Sequence, residues 1–236
     1  MLWYRIIIPS HEPAERLPVL YLLHGANSGS QEIMERSNVV ALASAEHLIV
    51  IIPEADNSYY TNAQHLPHAR WEDAITIDLP HDVATNFTVQ QGREHTGIGG
   101  ISMGGYGAIK LTLKHPDLYS FTGVMNGPLD ITRRPPSLRR WSQTTRTWSI
   151  FGYLPSTRRN EDVFDLLNRD PPQHDVRWFA SIGKNDPLKP VNLLFVKKLN
   201  EHGVSLKALM TPGGHDWESW NTAMPQFIKT AAQALR

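Results

Sequence analysis

The sequence predicts an α/β fold, a mainly parallel twisted sheet covered by helices on both faces. Three observations predict it. Short apolar runs such as Val19–Leu23 and Leu48–Ile52 lack polar alternation, the mark of strands buried on both faces. Segments with helical spacing lie between such runs. And Gly100-Ile101-Ser102-Met103-Gly104, a G-x-S-x-G, stands between an apolar run at 96–100 and a helix-like run at 106–115. That context is strand, sharp turn, helix.

The elements follow in order. Residues 3–8 form a β-rich run stopped by Pro9, and a proline-punctuated loop leads to the buried strand at 19–23. That strand runs into His24-Gly25-Ala26. A helical pattern covers 31–47, a second buried strand covers 48–52, and a loop over 54–70 contains Ser58, Tyr59 and Tyr60. Residues 71–87 have helical spacing, with Pro80 expected to kink or break the helix. After the G-x-S-x-G and its helix come strands at 121–125, 177–182 and 206–210. Helices are expected at 191–202 and 219–235. The stretch 127–176 shows no clear strand and is too long for a plain connection, so it is expected to be a cap of short helices inserted into a single domain spanning 1–236.

Composition narrows the function. The 236 residues hold 23 acidic and 23 basic side chains, so no global field argues for nucleic acid or a membrane surface. No apolar run is long enough to span a bilayer. Cysteine is absent, which excludes disulfides, thiol nucleophiles and thiolate metal sites. The compartment stays open: cytoplasmic, or secreted if a signal preceded residue 1. His65 and His68 are three apart without a carboxylate at ligand spacing, so no metal is expected. His81, His95, His115 and His174 fit helix ends or surface.

In parallel sheets, ligands gather beyond the carboxyl ends of the strands. His24, Ser102, Asp186 and His215 each follow an expected strand directly. Ser102 in its tight turn is the candidate nucleophile. The order Ser, acid, His used on the α/β-hydrolase sheet selects Asp186 and His215 as acid and base. Asp216 adjoins the base and is poorly placed to accept from its Nδ1, and Asp175 precedes its strand, at the opposite edge. Asp186 also fits a helix N-cap. The backbone N–H groups of Ala26 and Met103 are the candidate oxyanion donors, with Gly25 permitting close approach. His24 is expected to fix that loop by hydrogen bonds. Trp217 fits either a substrate pocket or the packing of the last helix. Between residues 131 and 160 stand seven arginines (133, 134, 139, 140, 146, 158 and 159) and no acid. They fit a solvated surface, or, with Trp141 and Trp148, a mouth that attracts anionic or aromatic esters.

With these residues placed, the chain resembles the esterase family of α/β-hydrolases that holds tributyrin esterases, feruloyl and acetylxylan esterases, S-formylglutathione hydrolase and the mycolyltransferases. The matching segments are Tyr21–Gly25, Ser58–Asn62, Gly100–Ala108 and Gly214–Trp217. Ile150-Phe151-Gly152 is similar to the tributyrin-esterase branch. The resemblance implies an α/β-hydrolase fold and a serine esterase acting on short-chain esters without a cofactor. It leaves open feruloyl or acetylxylan ester hydrolysis on polysaccharide side chains, acyl transfer, a non-enzymatic binding protein on this fold, and a homo-oligomer. The partner it implies is a small-molecule ester, aromatic or carbohydrate-linked among the options. It implies Ala26 and Met103 as oxyanion donors and puts the Ser58–Tyr60 loop at the substrate cleft. His24, Gly25, Ser58, Tyr59, Tyr60 and Trp217 are then the expected substrate-binding residues.

Overall fold

A computed structural model describes residues 2–236 except Pro13, Gln173, His174, Ser205 and Lys207, and of Arg140 only the backbone. His174, read as a helix-end or surface residue, and Lys207, inside the last expected strand, lie outside the described residues. All seven expected strands form: β1 (Tyr4–Ile7), β2 (Val19–Leu23), β3 (Ile49–Pro53), β4 (Thr96–Ile101), β5 (Phe121–Met125), β6 (Arg177–Gly183) and β7 (Ala208–Thr211). They line up as β1-β3-β2-β4-β5-β6-β7. Every pairing is parallel except β1 with β3.

The side-chain alternation of β2 divides the core. Val19, Tyr21 and Leu23 join the layer under α4 (Met103–Lys114) and α6 (Val163–Arg169). Leu20 and Leu22 join the layer under α1 (Ser30–Arg36), α2 (Val39–Ala45) and α8 (Trp217–Leu235). Both faces of the strand are therefore dry, which is why its sequence shows no polar alternation. The register sets Leu23 beside Gly100, Ile101 beside Met125 and Gly183 beside Thr211, so the ends of β2, β4, β5, β6 and β7 form one edge.

Two helices differ from the sequence expectation. The pattern over 31–47 divides into α1 and α2, because Ser37 is extended (φ −129°, ψ 164°) and its hydroxyl and N–H both bond the Ile33 carbonyl. The helical stretch Trp71–Asn86 does not break at Pro80. It widens to a π-helical turn over Ala74–Asp78 just before it and continues as α3 (Leu79–Asn86). Pro80 has no N–H to close an i→i−4 bond, and the wider turn absorbs that deficit.

Among the described residues of 127–176 no strand forms. The segment carries α5 (Trp141–Phe151), short helical turns, and α6. α6 is part of the main body: Phe164, Leu166 and Leu167 enter the same core as Ile109 and Leu113 of α4. The expected helix at 191–202 is α7 (Lys189–Glu201).

Candidate active site

The turn between β4 and α4 holds Ser102 at φ 53°, ψ −117°, left-handed backbone that a non-glycine residue adopts only under constraint. The constraint is close packing. A Cβ on Gly100 would lie 2.4 Å from the Gly104 carbonyl carbon, and one on Gly104 would lie 2.1 Å from the Leu23 carbonyl oxygen. Only hydrogen fits at either place. The turn lifts Ser102 into a half-buried position above the sheet edge and starts a helix behind it.

Ser102 Oγ lies 2.8 Å from His215 Nε2, and His215 Nδ1 lies 2.8 Å from Asp186 Oδ2. His215 is partly exposed, whereas Asp186 is only 4 % exposed. Burial works against the Asp186 charge. Hydrogen bonds from His215, the Leu188 N–H and the Asn126 amide outweigh it and hold the carboxyl below its ordinary value. The acid therefore stays charged where the imidazole needs an acceptor. Asp186 is not an N-cap, since the following helix starts at Lys189. Asp216 instead caps α8, accepting from the N–H groups of Ser219 and Gly214. Asp175 pairs with Arg93.

The loop after β2 lies against this serine. A Cβ on Gly25 would be 3.4 Å from Ser102 Cβ. Neither the Ala26 nor the Met103 N–H meets an acceptor among the described residues. His24 is fully buried. Its Nε2 accepts from the Ala55 N–H at 3.0 Å, so its proton sits on Nδ1, which donates to the Gly25 carbonyl at 2.7 Å. That carbonyl belongs to the same peptide unit as the Ala26 N–H. The Tyr60 hydroxyl donates to the His24 carbonyl at 3.0 Å. His24 and Tyr60 thus hold two consecutive peptide planes of the loop.

Four of the expected substrate-binding residues, His24, Ser58, Tyr59 and Tyr60, do not line the space at Ser102. His24 and Tyr60 are sealed at 0 % exposure, and Ser58 and Tyr59 are nearly so. The cause is the left-handed turn at Tyr59 and Tyr60 (φ 52° and 54°), which points Tyr60 inward while Tyr59 packs on Tyr106 and Phe151. Gly25 and Trp217 do line the cleft at Ser102, a space of about 370 Å³ that also meets Ala26, Glu32 and Trp220. Trp217 is held edge-on to Trp220, its Nε1–H donates to Glu32, and the Arg36 guanidinium lies over its ring.

A serine hydroxyl beside a histidine with an acid behind it, and nearby N–H groups without an acceptor among the described residues, is an arrangement suited to acyl transfer. Comparison with known proteins agrees. A model of the family described as "Putative esterase" matches residues 4–230. This chain belongs to that family. It is a carboxylic ester hydrolase with an α/β-hydrolase fold. It is 25% identical over 217 residues to an acetyl esterase of Caldicellulosiruptor saccharolyticus, covering 88% of this chain and 80% of that one. Among solved structures it is similar to the fluorophosphonate-binding serine hydrolase F of Staphylococcus aureus (TM-score 0.82, 24% identity, 97% of this chain and 91% of that one). It is also similar to a ferulic acid esterase (TM-score 0.79, 26% identity, 99% and 93%).

Sequence reasoning missed two parts of this esterase. Asn126, at φ 56° directly after β5, donates its side-chain amide to Asp186 Oδ2. The Asn-Gly pair at the carboxyl edge was the available signal, since asparagine tolerates left-handed backbone. The other is a buried ionic cluster on α4. Lys110 Nζ lies 3.0 Å from Glu72 Oε2 and 3.1 Å from Glu161 Oε2, and also donates to the Tyr60 carbonyl. Lys114 joins both carboxylates, and His115 bonds Glu72.

Proposed function

We propose that this esterase hydrolyses short-chain acyl esters by a serine mechanism in which Ser102 attacks, His215 moves the proton and Asp186 orients the imidazole. The observation that carries the reading is the unbroken chain Ser102 Oγ–His215–Asp186 with both contacts at 2.8 Å. Ser102 adds to the ester carbonyl as His215 Nε2 takes its proton. The Ala26 and Met103 N–H groups stabilise the tetrahedral oxyanion. His215 then protonates the departing alcohol, and water repeats the two steps on the acyl-enzyme. The part of the 127–176 segment before α6 caps the acyl side and limits acyl length.

The edge-to-face pair Trp217 and Trp220, beside His215, favours a second reading in which the alcohol is carbohydrate-linked. Initial rates on p-nitrophenyl esters from acetate to decanoate, with Ser102→Ala alongside, test the first. Rates should peak between acetate and butyrate, and the variant should lose on the order of 10^4-fold in kcat. A peak at decanoate would overturn the short-chain assignment, and an active variant would overturn the nucleophile.

A further inference from the structure

We propose that the groove walled by Trp148 and Pro136 and floored by Arg158 is a second binding site, for a carboxylate carried on an aromatic ring. It stands on observations independent of Ser102.

The arginines of 131–160 are used in different ways. Arg133 is held by Asp162 and Asp165, and Arg134 by Asp130. Arg158 is different. It is only 9 % exposed, and among the described residues no carboxylate lies within ion-pair distance. Its Nε donates to the Gly152 carbonyl at 2.9 Å and its Nη1 to the Thr132 carbonyl at 3.2 Å. Both acceptors are neutral. Nη2 makes no hydrogen bond among the described residues, and Arg158 lines two adjoining cavities. A guanidinium taken out of water without a counter-charge is unfavourable, and a bound anion would supply that charge.

The shape suits such a ligand. An inner cavity of about 260 Å³ and an outer groove of about 550 Å³ share Arg134, Pro136, Trp148 and Arg158. Arg159 stands at the rim, exposed and without a carboxylate partner among the described residues. Asp162 and Asp165 also border the outer groove, and both are engaged by Arg133. Trp148 packs at 5.5 Å on Tyr153, which gives the groove an aromatic wall for a flat ring. The guanidinium fork matches a carboxylate better than any neutral group.

The test is a titration of the intact protein with benzoate, followed by calorimetry and tryptophan fluorescence, against neutral benzamide of the same shape. Benzoate should bind about tenfold more tightly than benzamide, and more weakly as salt rises. Arg158→Gln should abolish the preference. If that variant does not fold, Arg159→Gln, at an exposed position, should reduce benzoate affinity about threefold. Equal affinity for benzamide, no binding, or affinity unchanged in the variants would overturn the proposal. So would competitive inhibition of p-nitrophenyl acetate hydrolysis that persists in Arg158→Gln, because it would move benzoate to the Ser102 cleft.

Discussion

Helix α4 carries buried charge at both ends, and the two ends are built to different plans. At its C-terminal half, Lys110 is fully buried against Glu72 and Glu161, and Lys114 and His115 close the cluster. Each lysine lies within 3.1 Å of both carboxylates, so among the described residues every charge of these four has a counter-charge. At its N-terminus the acid Asp186 is as deeply buried, but the system opens outward. His215 and Ser102 reach solvent, and the Ala26 and Met103 N–H groups have no acceptor among the described residues. Buried charge alone therefore does not mark a reactive site. In the proposed mechanism, unspent donors beside a strained, accessible hydroxyl do. A closed cluster stabilises the ground state of the fold, while an open one waits for charge that develops on a substrate.

Breaking the closed end should cost stability most. Burial works against the Glu72 charge, but His115, Lys110 and Lys114 outweigh it and hold its carboxyl far below the usual carboxylate range. The unfolded chain takes up a proton on Glu72 near its ordinary value of 4.5, and the folded chain does so only at much lower pH. The stability from this group is thus complete above about pH 5 and falls as pH drops toward the folded value. Glu72→Gln should cost about 3–5 kcal/mol at pH 7 in urea unfolding and flatten that acid slope. A variant with unchanged stability would mean the cluster contributes nothing net.

A smaller effect sharpens the comparison, because the two ends meet at Tyr60. Its carbonyl accepts from Lys110, and its hydroxyl donates to the peptide next to the proposed oxyanion donor. Tyr60→Phe keeps the ring and the Lys110 contact and removes only the hydroxyl. It should lower kcat about tenfold with KM nearly unchanged, because a loosened Ala26 N–H weakens binding of the transition state alone. Stability should fall by only about 1 kcal/mol. Loss of stability with unchanged kcat would show that the Tyr60 hydroxyl supports the fold and not the reaction.

What was legible in the sequence was local or ordered along the chain. The continuous apolar runs of β2 and β3 announce a sheet covered on both faces. Gly100 and Gly104 announce a turn too tight for side chains. Asp186 and His215 could be picked out because each follows a strand directly, and parallel strands bring such positions to one edge. What was not legible depends on contacts between distant segments. The inward aim of Tyr60 follows from two consecutive left-handed residues that no motif signals. The partners of Lys110 come from the start of the α3 stretch and from just before α6, so its burial could not be read from an amphipathic pattern that left lysine at a core position. The break at Ser37 and the π turn before Pro80 reflect hydrogen bonds that compete with the ideal helix, where periodicity alone predicts continuity.

The open end of α4 is proposed to react through Ser102. Rapid quenching of the enzyme with p-nitrophenyl acetate, followed by mass spectrometry of its peptides, tests this most directly. A burst of p-nitrophenol and one acetyl group on the peptide carrying Ser102 are expected, with neither seen in Ser102→Ala. An acetyl group on another residue, or a burst that survives in Ser102→Ala, would contradict it.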